Sequence, residues 1–163
     1  MFIGERIALT LWVGGMWTVG YIVAPLLFQS LDDRALAGSL AGNMFTAMSY
    51  VGLVAAVILL SGQLVSHGRD TLRQWRAWIL LAMLMIVIIG QFVLQPMMAE
   101  LRAAGLQEDA ASRFGLLHGL ASILFLMNSL AGLALVIAGL RPGIVSRSVS
   151  SQAVLFTRKR QDR

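Results

Sequence analysis

Apolar residues along the chain gather into four long blocks separated by short polar stretches. The first, IALTLWVGGMWTVGYIVAPLLF, covers residues 7–28, and the second is centred on YVGLVAAVILLSGQLV, residues 50–65, starting near Ala41. The third, AWILLAMLMIVIIGQFVLQPMM, covers residues 77–98, and the fourth, FGLLHGLASILFLMNSLAGLALVIAGL, covers residues 114–140. Each is close to the roughly 20 apolar residues that cross a bilayer as a helix. The pattern predicts an all-α fold, an integral membrane four-helix bundle of two antiparallel hairpins, with spans near 7–30, 41–66, 76–98 and 114–140. At about 1.5 Å per residue the fourth block reaches roughly 40 Å, so it tilts or extends past the lipid. The first block is too long for a signal peptide and lacks a small-x-small cleavage site, which predicts an uncleaved first span.

Two passages echo each other. GYIVAPLLFQSLDDRALAGSLAGNMF (residues 20–45) and GQFVLQPMMAELRAAGLQEDAASRFG (residues 90–115) each run from Gly through Pro to two bulky apolar residues and an acidic linker. Each then enters the next helix through small residues and a Phe, the mark of two hairpins related as a parallel repeat. Pro25 and Pro96 each free a backbone carbonyl four residues upstream, on Tyr21 and Phe92, and in lipid such a carbonyl needs a new partner. The DDRALAGSLAGNMF linker is expected to form a short amphipathic helix on the outer surface, leading into span two.

Charge orients this frame. Of the 13 basic residues, ten fall on one side: Arg6, Arg69, Arg73, Arg76, Arg141, Arg147, Arg158, Lys159, Arg160 and Arg163. The other side has Arg34, Arg102 and Arg113 beside Asp32, Asp33, Glu100, Glu108 and Asp109. Basic loops stay cytoplasmic, so both termini are expected inside a bacterial inner membrane, with Trp75 and Trp78 at the inner interface. Residues 141–163 hold the whole net charge of +5 and read as a flexible basic tail, stopped off from span four by RPG. Its TRKR run suits anionic lipid at about 1 kcal/mol per basic residue, and so short a run without a folded module argues against nucleic acid.

Lipid supplies no hydrophobic drive between helices, so small and polar residues carry the packing. The expected inward stripes are Thr10, Gly14, Thr18 and Tyr21 in the first span, and Gly38, Gly42, Ser49, Gly52 and Ala56 in the second. His118, Ser122, Phe125, Ser129 and Gly132 form the stripe of the fourth, and the third offers Gln91 and Gln95. His118, Ser122, Gln91, Gln95 and Asn43 together make the candidate polar site in the outer half. A histidine there acts as an interhelical hydrogen-bonding peg, or as a ligand or proton carrier. GSLAG also fits a small-xxx-small contact, either within the bundle or with a second copy or a membrane-complex partner.

Catalytic chemistry finds little footing. The chain has no cysteine, which removes thiolate metal sites and disulfides. No acidic residue is expected inside a span, and no Gly-rich phosphate loop or Ser/His/acid set is visible. No cofactor is predicted. The alternatives are one haem b held by His118, or copper held by His118, Met44, Met48, Met97 and Met98, since Cu(I) accepts thioethers. His67 and His118 lie toward opposite faces and cannot share a haem.

GGMWTVGYIVAPLLFQSL, AGSLAGNMF and RFGLLHGLAS…NSLAGLAL resemble the bacterial branch of the transmembrane protein 205-like family, domain of unknown function 4149. The likeness covers about residues 5–140 and rests on Ala24, Pro25, Phe28, Gly38, Gly42, Leu117 and His118. It implies a four-span membrane protein of undefined biochemistry. A looser likeness to CopD-type copper-resistance proteins supports the redox alternative. HemJ-type protoporphyrinogen oxidases use a first-span histidine, and the first span here has none. The chain therefore reads as a non-enzymatic membrane protein that handles a small solute or serves as an accessory subunit.

Overall fold

A computed structural model describes residues 3–105 and 107–140. The basic tail and its proposed lipid contact lie outside the described residues. The first span, Ile3–Ser30, comprises α1 (Ile3–Trp17), a π-helical turn (Thr18–Val23) and α2 (Ala24–Ser30). The second is one helix, α3 (Arg34–His67). A 3-10 turn (Gly68–Arg73) leads to the third span, formed by α4 (Trp75–Ile89), a second π-helical turn (Gly90–Leu94) and α5 (Gln95–Ala103). The fourth is α6 (Glu108–Leu140).

The expected outer-surface helix is not a separate element. Asp33 caps α3 by accepting hydrogen bonds from the backbone N–H groups of Ala35 (2.8 Å) and Leu36 (3.1 Å). From that cap the helix runs without interruption through 34 residues. At the other end Thr71 folds back, and its hydroxyl donates to the Gly68 carbonyl (2.8 Å) and the Gln63 carbonyl (3.1 Å), closing the turn into α4.

Both prolines are accommodated in the same way. Just ahead of each, the hydrogen-bond ladder widens by one residue: Ala24 N–H donates to the Val19 carbonyl, and Gln95 N–H to the Gly90 carbonyl. Each proline then sits in the first turn of the next α-helical segment, where a backbone N–H is not required. A π turn inserts one residue and so re-aims the side chains beyond it by about 100°. The two hairpins thus carry the same device at the same place, as their sequence echo suggests.

The four helices pack as a bundle in which α1 lies between α3 and α6, and α4 likewise lies between α3 and α6. Its core is built from Trp12, Val13, Leu59, Leu80, Met83 and Leu135. Contacts are close where glycine allows them. The Trp12 indole lies against Gly52, Met48 against Gly15, the Phe125 ring against Gly20, and Val13 with Met83 against Gly132. The outward surface is apolar, with Leu11, Val54, Val57, Ile123 and Leu126 all exposed. Four helices long and apolar enough to span, dressed in exposed aliphatic side chains, make this a multi-pass membrane protein.

One expected stripe faces the other way. Thr10, Gly14 and Thr18 are exposed, while Tyr21, though partly exposed, reaches Phe125 of α6, and the inward face of α1 is Glu5, Ala8, Leu9, Trp12, Val13 and Met16. The Thr18 hydroxyl is satisfied within its own helix by the Gly14 carbonyl (2.9 Å), so lipid contact costs it nothing in unmet hydrogen bonds.

Candidate functional site

The bundle has a terminal end, where residue 3, the α3–α4 turn and residue 140 meet, and a hairpin end, which carries the two linkers. At the hairpin end α3 and the third span stand apart and enclose a cleft of about 370 Å³. One wall is Ser39, Gly42, Asn43 and Thr46 of α3, and the other is Gln91, Gln95, Pro96, Ala99 and Arg102. Both sets recur at three- and four-residue steps, which places each on one helical face. Below the cleft an aromatic cluster fills the space between helices. Phe125 of α6 packs edge-on against Phe45 (5.4 Å between ring centroids) and tilted against Tyr21 (5.5 Å), which in turn meets Trp17.

The cleft carries three amides, two hydroxyls and one cation. Gln91 Oε1 is buried and takes no hydrogen bond among the described residues. Arg102 reaches across the mouth: its guanidinium covers the Phe114 ring of α6 at 5.2 Å, and Nη1 stands 3.8 Å from where a Cβ on residue 42 would lie. It makes no ion pair among the described residues, and no carboxylate lines the cleft.

The candidate polar site is therefore split. Asn43, Gln91 and Gln95 come together, whereas His118 and Ser122 are exposed on α6 and do not line the cleft. The His118 ring stacks on Phe114 in its own helix (5.9 Å, 8° between planes), and Ser122 donates to the His118 carbonyl (2.8 Å). Among the described residues, His118 makes no hydrogen bond to another helix. Its stripe continues inward through Phe125 to buried Ser129 and Gly132, and the exposed end is simply the part the neighbouring helices do not cover. Gly38 and Gly42 face Phe28 and Arg102 respectively, each with room for a methyl group. Among the possible thioether ligands, Met48 packs on Gly15, Met98 is buried, and Met44 and Met97 are exposed. Among the described residues, no three His, Cys, Asp or Glu side chains converge.

Three polar features escaped the sequence. Glu5 is only 6% exposed, which corrects the expectation that no acid lies within a span. Its carboxylate presses on the backbone of α3 at Gly62, and it lines a small cavity of about 60 Å³ with Gln63, Ser66, Gln74 and Arg76 at the terminal end. Such a volume has room for a few waters. Arg76 Nη2 donates to the Ala138 carbonyl (2.7 Å), tying the start of α4 to the last turn of α6, where a cation also meets the negative end of the helix dipole. Asn128 is buried mid-bundle, where Nδ2 approaches Met16 Sδ (3.2 Å), and its Oδ1 and the Ser129 hydroxyl find no partner among the described residues. The i, i+4 spacing of Glu5 and Leu9, and the 91–95–99–102 series, were the available signals.

Neither a curated protein nor a solved structure matches the chain. A family model does match, described as a domain of unknown function (DUF4149), over residues 7–107. That region takes in the first span, α3, the third span with its π turn and both walls of the hairpin-end cleft, and on that match this four-span membrane protein belongs to the DUF4149 family.

Proposed function

We propose that the chain is a non-enzymatic protein of a bacterial inner membrane, with both termini cytoplasmic, that admits a small polar solute from the outer face into the hairpin-end cleft. The observation that carries this reading is the lining: Ser39, Asn43, Thr46, Gln91 and Gln95 line an open cleft of about 370 Å³ at the hairpin end of an apolar membrane protein. Amides and hydroxyls recognise by hydrogen bonding and do not ionise near neutral pH, which suits binding over acid–base chemistry. The sequence count, which assigns ten of 13 basic residues to the cytoplasmic side, supports the orientation.

Because the chain has no cysteine, single introduced thiols report cleanly. Asn43→Cys and Gln95→Cys should react with a membrane-impermeant maleimide in intact cells, and Gln74→Cys only after permeabilisation. The reverse pattern overturns the orientation, and absence of labelling at both 43 and 95 overturns the open cleft. Sustained substrate turnover by purified protein overturns the non-enzymatic assignment.

A further inference from the structure

We infer that the solute of this cleft is a hydroxyl-bearing phosphate ester, with its phosphate on Arg102 and its hydroxyls on the amides below; this rests on the cleft reading above. Among the described residues that line the cleft, Arg102 is the cation and there is no carboxylate. Its guanidinium lies over the Phe114 ring at 5.2 Å and faces the α3 wall near Gly42, which presents it at the mouth. A guanidinium is suited to phosphate oxygens, which it can engage through two parallel hydrogen bonds.

Deeper in, Gln91 Oε1 is a buried acceptor without a donor among the described residues. A buried acceptor left unmet is destabilising, so an occupant that brings a hydroxyl there is favoured. Asn43, Gln95, Ser39 and Thr46 add both donors and acceptors between these two points. Residues 91 and 102 lie about 16 Å apart along the helix axis, with Gln95 between them on the same wall of the cleft. An anion at the mouth with hydroxyls below fits this order. The chemistry is shared by a soluble glycerol phosphate and by the headgroup of an acidic phospholipid entering between α3 and α5.

The test uses the full chain carrying Ser39→Cys in phosphatidylcholine nanodiscs, with maleimide labelling at position 39 as the readout. Adding sn-glycerol 3-phosphate, or doping the disc with phosphatidylglycerol, should slow labelling, about tenfold at saturation. Protection by the soluble ester identifies a free solute, and protection by the lipid alone identifies a headgroup; each supports the phosphate-ester assignment. Arg102→Gln should weaken protection about tenfold or more, as expected for losing a charge-assisted contact. Arg102→Lys should retain part of it, and Arg113→Gln all of it. Rapid labelling that neither probe slows overturns the phosphate-ester assignment and leaves the open cleft standing. Protection unchanged in Arg102→Gln overturns the assignment of Arg102. Failure of labelling without any probe instead removes the cleft itself.

Discussion

The Trp12 indole rests on the backbone of α3 at Gly52, with Nε1 2.6 Å from the place a Cβ would take. Trp12 is 1% exposed, and its ring is rigid, so an added methyl cannot be avoided by a flexible side chain end. Gly52→Ala should lower the thermal midpoint of the purified protein by an amount equivalent to about 1–3 kcal/mol, the usual cost of overpacking. Gly14→Ala, where nothing lies within 4 Å, should leave it unchanged or slightly raised. Equal effects of the two substitutions would contradict this packing.

Glu5 and Gly62 make a coupled pair of the same kind. Gly62→Ala must displace the carboxylate, so alone it should destabilise by about 1–2 kcal/mol. In a Glu5→Ala background the methyl has room, and the second substitution should add little. A double-mutant cycle reads this coupling, expected above about 0.5 kcal/mol for residues in contact. Strict additivity would show that they do not touch.

Arg76 joins two helices through the Ala138 carbonyl (2.7 Å). Arg76→Ala should cost about 1.5–3 kcal/mol, the range for hydrogen bonds to a charged group, with Arg76→Lys recovering part of it. Denaturation midpoints of the three proteins measure this directly. A neutral Arg76→Ala would mean that the α4–α6 tie is not formed in the membrane.

His118→Ala should leave expression and thermal stability within about 0.5 kcal/mol of the parent, as for an exposed position away from special features. Its stacking partner Phe114 lies in the same helix, so no helix–helix contact is lost. A large fall in stability would mean that His118 does hold helices together.

Asn128→Leu removes a buried amide whose Oδ1 has no partner among the described residues, at nearly constant volume. Replacing an unmet polar group by an apolar one of similar shape is close to neutral or stabilising. The thermal midpoint should hold or rise. A marked fall would reveal a partner for the amide.

Much of the architecture is legible along the chain. Block length determines four spans, Pro25 and Pro96 mark the places where the helices must be rebuilt, and the parity of short linkers makes antiparallel hairpins. Asn43, Gln91 and Gln95 are recognisable as polar groups out of place in apolar segments. Only the tertiary structure decides which way each helix turns its faces. A soluble helix shows its inward side by being apolar there, but in lipid both sides are apolar and the 3.6-residue period loses its sidedness. The stripe Thr10–Gly14–Thr18 looks like an interface and is exposed, because the fit of Trp12 to Gly52 and Val13 to Gly132 sets the rotation of α1. That same rotation buries Glu5. Arg102 reads as a linker charge and becomes the mouth of a cleft because α5, restarted after a π turn, carries the 91–95–99–102 face toward α3. His118, the most conspicuous residue of its span, stays outside for the matching reason: its stripe is covered only from Phe125 inward, and steric fit between helices, which no single helix encodes, sets where that cover ends.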